Sequence, residues 1–388
     1  MVIRKSVECE VCGFVHTLRF SIGHSEHQPH RFYCKRCEEL IGIVLSIDFD
    51  EPKAEIERYE RCAPTQENGQ IVNLHPELLV EEDSLSDPSA FPAESAMFRL
   101  LNRLGEAKAL ESGIPPIMGG PKELEEEWEK LSTAWSLRSN GKNQLAVQQL
   151  VKQFPDSDSP EPWKINGWIY GFCTNFLDDL SEKVAEDVFA VMQKAEDNEP
   201  AKFNELAEYY YREIESENHK KYRGIINDYF ENYSEYKQVR FERSVESRPS
   251  DEQKATSVNF DDVKMFYGNA FEVFTTSVEV LAIINNVVKG REYDTFSTMP
   301  LKKYKRDVSK SKKCDPFHDI DELHKVCDGL ESTLRNASHH QAIELDRVSR
   351  TVKYRSGGTG AKRTMTYAQY LWKCNQIMSS LMIVLLVE

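Results

Sequence analysis

The sequence predicts a mainly α-helical chain: a small β zinc ribbon at the N-terminus, a central helical domain, and a C-terminal helical bundle carrying one small β-hairpin. Three observations support that expectation. Two Cys-x-x-Cys pairs fall early in the chain, apolar residues recur at helical spacing through most of the chain after Ala93, and a capping box of Thr366 and Gln369 opens a final apolar helix. At 388 residues the chain exceeds one ordinary core, so two or three domains are expected.

Residues 1–62 read as the ribbon. Cys9-Glu10-Val11-Cys12 and Cys34-Lys35-Arg36-Cys37 form two knuckles with 21 residues between them, and Gly13 permits a tight turn after the first. Four thiolates suit tetrahedral Zn²⁺, bound for structure because they leave no open coordination position. Val15 to Phe20 alternates like a strand, and Leu40 to Phe49 is a second β-like run. His24, His27 and His30 fall in the intervening loop, where one could replace a cysteine as a ligand, but they are expected to face solvent, since four sulfurs already complete the shell. Glu38-Glu39 would repel a phosphate, so a structural or protein-docking role is expected ahead of nucleic-acid reading.

Residues 63–95 read as a linker rich in Pro, Ser, Asp and Glu. Residues 96–250 read as an acidic helical domain, with helices over Lys122 to Leu137, Asn143 to Phe154, Glu161 to Leu177, Glu182 to Ala195 and Ala201 to Glu217. Gly119-Gly120-Pro121 and Pro155 to Pro162 punctuate them. The tyrosines at 209–211, 222, 229, 233 and 236 have acidic neighbours, which favours helix packing over base stacking. A polar stretch, Glu246 to Ser257, then separates this part from a helical domain at 259–388.

In that last domain Asn259 is placed to cap one long core helix ending near Gly290. A second helix is expected from about Phe317, because Ile320, Leu323, Cys327, Leu330, Leu334 and Ala337 form a stripe at spacings of three and four. Arg347 to Arg355 is β-like, Ser356-Gly357-Gly358-Thr359-Gly360 supplies a hairpin turn, and Leu371, Cys374, Met378, Leu381 and Leu385 lie along the closing helix.

Bulk properties narrow the function. No apolar segment follows Met1-Val2-Ile3-Arg4-Lys5, and the longest apolar run, Leu381 to Val387, is short for a bilayer, so a cytoplasmic protein without a membrane partner is expected. Nine cysteines, four of them in the knuckles, suit one metal site in a reducing compartment better than a disulfide framework. The net charge of −15 opposes nucleic-acid binding until its distribution is read. From Pro300 to Glu388 there are 16 Lys and Arg against 10 Asp and Glu, a net of +6 that leaves −21 for the first 299 residues.

Within that basic segment lies Leu334-Arg335-Asn336-Ala337-Ser338-His339-His340. A histidine moves protons near neutral pH, and arginine grips phosphate oxygens with a planar fork of donors. On unbroken helix, His340 would be turned about 140° from Arg335 and shifted about 7.5 Å along the axis. The helix is therefore expected to end or bend between Ala337 and Ala342, or the long Arg side chain to swing over. The spacing alone is weak, since Arg19 to His24 and Arg212 to His219 fit a similar pattern.

The Asn after the Arg, the amphipathic run before it and the helix after it make Arg335, Asn336 and His340 resemble the motif of the HEPN superfamily of ribonucleases, over roughly the last third of the chain. The resemblance implies a metal-independent endoribonuclease in which His340 takes the proton of the RNA 2′-hydroxyl and Arg335 steadies the charged phosphate, releasing a 2′,3′-cyclic phosphate. It also implies a homodimer whose two motifs share one cleft, and a role as a toxin or an abortive-infection effector in antiviral defence. Asn336 is expected to orient the backbone or the Arg, and His339 to contact RNA. Lys302, Lys303, Lys305, Arg306, Lys310, Lys312 and Lys313 would guide the RNA backbone. An adaptor or sensor without catalysis, binding protein or nucleic acid through the ribbon and dimerising through the bundle, is the competing expectation, and a regulatory protein or nucleic-acid trigger fits either.

Overall fold

The computed structural model describes residues 2–51, 53–91, 124–153, 164–244, 248–357 and 360–388. The end of the expected linker (92–95), the first part of the expected helical domain (96–123) and the punctuation at Pro155 to Pro162 lie outside the described residues, as do Gly358 and Thr359 of the hairpin turn. The chain divides into two compact units: one holds the described residues of Met1–Pro121 with Asn232–Met265 and Asn336–Asn375, the other Lys122–Glu231, Phe266–Arg335 and Gln376–Glu388.

The first unit is built on sheets. Strands β1 (Val2–Cys9), β2 (Val15–Ser21), β3 (His27–Tyr33), β4 (Leu40–Asp48) and β5 (Lys53–Glu60) are followed by β6 (Cys62–Thr65), β7 (Gln70–Leu74) and β8 (Val80–Glu81). They form one sheet in the order β6-β1-β2-β7 and a second in the order β3-β4-β5. The period of two is plain in β4, where Ile41, Ile43, Leu45 and Ile47 are buried. They share one core with Val7, Leu18, Phe20, Phe32, Val72 and Leu74 from the other strands.

The opposite face of β2 is covered as well. Arg19 is buried, donating to Asn73 Oδ1 at 2.8 Å and to the carbonyl of Asp87 at 2.9 Å. A buried guanidinium must be hydrogen-bonded, and here it fixes the loop that covers the sheet. Of the Arg19 to His24 match, Arg19 is therefore committed to holding the fold.

These strands correct the mainly α-helical expectation: among the described residues 54% are helical and 20% in strands, a mixed α and β chain. The supposed linker supplies β6, which pairs with β1, and β7, which runs parallel to β2 with His16 opposite Gln70. Its prolines and polar residues resemble punctuation because the pairing partners are distant in sequence. The polar stretch after Glu246 is likewise no separator. Strand β9 (Gln253–Lys254) pairs with β8, and the Val258 N–H donates to the Arg31 carbonyl at 2.8 Å, continuing along β3.

Farther on, β10 (Ile343–Asp346), β11 (Thr351–Tyr354) and β12 (Arg363–Thr366) form a three-stranded antiparallel sheet where a hairpin was expected. The capping box is formed: the Thr366 N–H donates to Gln369 Oε1 at 3.0 Å, and the Gln369 N–H to Thr366 Oγ1 at 3.2 Å.

Two buried histidines give this unit a pH dependence. His30, expected in solvent, is fully buried on the core face of β3, and burial pushes its pKa down to about 3. His75 is also buried and pushed down to about 4. Both stay neutral in the folded state, while the unfolded chain binds protons below about pH 6.5. Stability is therefore lost as pH falls from about 6.5 toward 4, by up to about 4 kcal/mol at pH 5 from the pair. Urea unfolding followed by circular dichroism should show a midpoint falling between pH 7 and pH 5, with a shallower fall in His30→Phe; an equal fall in both proteins would remove His30 from this account.

The second unit is helical. Leu124–Ser139, Asn143–Gln153, Lys164–Phe176, Asp179–Asn198 and Pro200–Tyr209 lie in the segments the periodicity marked; after one π turn at Tyr210–Ile214 a further helix, Glu215–Glu231, runs beyond them. Asp178 caps its helix by accepting from the Ser181 N–H at 2.9 Å, and Pro200 opens the next. Trp128, Trp135, Phe172, Phe176 and Tyr229 are buried together, Trp128 stacking on Phe230 at 5.9 Å. Tyr210 and Tyr222 are buried too, so most of the tyrosine group serves packing, whereas Tyr211 is 63% exposed.

The expected long helix is three consecutive pieces, Phe260–Val263, Phe266–Ser277 and Glu279–Val288. The stretch from Phe317 is not one helix either. It runs through short turns at Asp315–Phe317, Asp321–His324 and Lys325–Cys327 before the helix Ser332–His339, yet Leu323, Cys327, Leu334 and Ala337 are buried as the stripe requires. Cys314 and Cys327 are joined in a disulfide, which the cysteine pattern did not lead us to expect. Two stretches, Phe260–Val288 and Tyr367–Val387, are long and apolar enough to cross a membrane by length and composition, and 78% of each such window is buried inside the protein.

Candidate active site and metal centre

The four knuckle cysteines come together by a repeated backbone turn. In the first, between β1 and β2, the Gly13 N–H donates to the Cys9 carbonyl at 2.8 Å and the Cys9 N–H to the Phe14 carbonyl at 3.0 Å. In the second, between β3 and β4, the Glu38 N–H donates to the Cys34 carbonyl at 2.9 Å and the Cys34 N–H to the Glu39 carbonyl at 2.8 Å. The residue after each second cysteine takes a left-handed φ, +68° at Gly13 and +57° at Glu38. Glycine adopts this freely and glutamate at a cost, which the turn must repay.

The sulfurs all lie within 4.8 Å of one another, with Cys9–Cys37 at 3.8 Å and Cys12–Cys34 at 3.7 Å. Sulfurs about 2.3 Å from a central tetrahedral ion would be about 3.8 Å apart. The cluster can hold a metal ion, and its chemistry fits a cation that prefers sulfur. Burial pushes the Cys34 thiol up to about 12, so loading must displace protons that the protein alone would retain. Nearby, His16 accepts from the Lys35 N–H at 3.2 Å, and burial holds it neutral, down to about 4. His24 and His27 are engaged by Glu77 at 2.7 Å and Glu57 at 3.0 Å.

The second knuckle also anchors the β10–β11 turn. Arg347 donates to the Glu38 carbonyl at 3.1 Å and lies 4.9 Å from the Tyr33 ring centroid, a cation–π contact. The purified chain should carry one equivalent of a sulfur-binding divalent ion, lost in Cys12→Ser. Chelation should lower the stability of this unit by about 4 kcal/mol if free metal stood at 1,000 times its Kd. Elemental analysis with thermal melting checks both, and a melt indifferent to chelator would mean that the core needs no metal.

The Arg335 motif sits on the helix Ser332–His339, through which the division between the two units passes, after Arg335. The helix ends inside the window the sequence marked. Gln341 is left-handed at φ +52°, its N–H donates to the Ser338 carbonyl at 3.3 Å, and the Ala342 N–H donates to the Ala337 carbonyl at 2.8 Å. That paired bonding is a Schellman closure, with His340 as the C-cap. His340 is exposed there and His339 half-buried. Asn336 donates from Nδ2 to Ser356 Oγ at 3.1 Å, tying the helix to the loop after β11.

Arg335 meets a residue the sequence did not single out. Its Nε donates to Glu272 Oε1 at 2.5 Å, and Lys310 pairs with the other oxygen of the same carboxylate. Glu272 is the only charged residue in the helix Phe266–Ser277. A lone carboxylate in an apolar helix within a basic segment was the signal available.

The lysine run is partly engaged. Lys302, Lys303 and Lys312 are exposed, and Lys305 is paired with Glu279 at 3.0 Å and Arg306 with Asp307 at 2.6 Å. Lys313 is buried, donating to the carbonyls of Tyr304 at 2.7 Å and Lys305 at 3.1 Å, so it offers nothing to a ligand at the surface. Of the remaining spacing match, Arg212 is exposed and paired with Glu213, while His219 packs edge-on against Trp135. The chain matches no protein-family model, no curated protein and no solved structure.

Proposed function

We propose that this chain is a metal-independent endoribonuclease of HEPN type, with Zn²⁺ held by Cys9, Cys12, Cys34 and Cys37 for structure alone. The observation that carries the proposal is the capped end of the helix Ser332–His339: an exposed imidazole at its C-cap, an Asn fixed by Ser356, and an Arg aimed by Glu272. His340 would remove the 2′-hydroxyl proton, the 2′-oxygen would attack the adjacent phosphorus, and the 5′-oxygen would leave with a proton from a second acid. Arg335 would stabilise the charge gathering on the phosphate oxygens. His340 is the one exposed imidazole of the motif, so the acid comes from a second copy, in a homodimer whose motifs share a cleft. Lys302, Lys303 and Lys312 would meet the RNA backbone, with His339 a further contact.

One observation favours a non-catalytic binding protein instead: the carboxylate on Arg335 competes with phosphate for the guanidinium. End-group analysis decides between the two. Full-length protein incubated with labelled RNA in buffer free of added divalent ions should yield fragments ending in 2′,3′-cyclic phosphate, and the Arg335→Ala/His340→Ala double variant should yield none. Intact RNA from the wild type, or equal cleavage by both, would leave the binding protein.

A further inference from the structure

The open end of the β10–β12 sheet is hydrogen-bonded beside Asn336 and just past His340, and it is basic. The Arg355 N–H donates to the carbonyl of Ala342 at 3.2 Å, two residues past His340. Its neighbour Ser356 accepts the hydrogen bond from Asn336. Across the sheet β11 and β12 run in register, with Lys353 opposite Thr364 and Tyr354 opposite Arg363, so that Arg355 and Lys362 are the next residues outward. Both are exposed, as is Arg363.

The acidic residues of this sheet lie farther along it. Asp346 is engaged by Lys353 at 2.8 Å, and Glu344 stands opposite Lys353 on β10. Gly360, between the strands, approaches Ser356 closely. A Cβ at Gly360 would come within 2.3 Å of the Ser356 carbonyl oxygen, so the chain closes tightly there and only glycine fits. A cationic strand end bonded to the segment that carries His340 is suited to holding a phosphate beside it.

We propose that Arg355 and Lys362 form a second phosphate subsite of the RNA path, gripping the backbone phosphate next to the one attacked at His340. The proposal rests on the nuclease function above. Arg355 is the principal donor, since a guanidinium binds phosphate oxygens two at a time, and Lys362 adds a point charge. Neither touches the reacting atoms, so both are positioning residues.

The test uses full-length protein and two forms of one single-stranded RNA: a fully 2′-O-methylated strand, which lacks the nucleophile, and the ordinary strand. Arg355→Ala should weaken binding of the methylated strand about tenfold and reduce the slope of log affinity against log salt by about 0.7, one phosphate contact to a single strand. Arg355→Lys should recover part of the affinity, and Lys362→Ala should lose about threefold. On ordinary RNA, Arg355→Ala should raise KM and leave kcat within about threefold, whereas His340→Ala should bind like wild type and cleave at least about a hundredfold more slowly. Melting temperatures of the variants should match wild type, because both side chains are exposed.

Binding and salt slope unchanged in Arg355→Ala and Lys362→Ala, while wild type cleaves, would overturn the subsite and leave the nuclease standing. Binding weakened as expected, while wild type leaves ordinary RNA intact, would keep the subsite and overturn the nuclease. No binding of the methylated strand by wild type would overturn the subsite whatever the cleavage result.

Discussion

His340→Ala is expected to lower the single-turnover rate of RNA cleavage by about 10²–10⁴-fold, the usual contribution of one positioned general base or acid. The loss should fall at the upper end if each copy uses its imidazole in both roles, because the substitution then removes the base and the acid together. Stability should change little. His340 is exposed at the C-cap, and the Schellman closure beneath it is made by backbone groups and by Gln341, not by the imidazole. A melt within a few degrees of wild type alongside the rate loss would separate chemistry from folding. If the variant cleaved at more than a tenth of the wild-type rate, His340 would be only a helix cap.

Arg335→Ala is expected to cost about 10²–10³-fold, comparable to removing one preorganised donor from a developing anion. Arg335→Lys should recover little, since an ammonium lacks the planar fork with which a guanidinium could hold Glu272 and a phosphate together. Glu272 separates positioning from competition. If the carboxylate aims the guanidinium, Glu272→Gln should lower kcat and leave RNA affinity near wild type. If it only occupies the guanidinium, the same variant should bind RNA more tightly and cleave faster. Kinetics of the two variants on one RNA distinguish these outcomes. Arg335 and Glu272 are each only about a quarter exposed, so solvent screens the pair incompletely, and a melt of each variant separates lost stability from lost chemistry.

Much of the site was legible because its chemistry is local in sequence. The knuckle spacing brought out Cys9, Cys12, Cys34 and Cys37, and the apolar stripe that buries Leu334 and Ala337 also located the helix on which Arg335 lies. Glu272 lies 63 residues away from Arg335, and no local pattern announces such a contact. The sheets were hidden for the same reason. Strand β7 is defined by its parallel pairing with β2, more than fifty residues earlier, and the buried face of β2 is polar because a loop covers it.

Periodicity also misled where it was strongest. The spacing of Ile320 to Ala337 fits a continuous helix, but the chain breaks at Gly329, between the turn Lys325–Cys327 and the helix Ser332–His339. Tyr267 donates to the Gly329 carbonyl at 2.8 Å and accepts from the Glu331 N–H at 2.6 Å, and so holds the break. The stripe still packs, because burial requires a face and not an unbroken ladder.

The central claim is that the RNA supplies its own nucleophile, which His340 activates and Arg335 supports. The most direct measurement is cleavage of an oligoribonucleotide in which single nucleotides are replaced by their 2′-deoxy counterparts, with free divalent ions chelated. Each replacement should abolish the cut on its own 3′ side and leave other cuts in place. Cleavage that persists at a deoxy position would mean that water or another external nucleophile attacks the phosphate, and would contradict the mechanism built on these two residues.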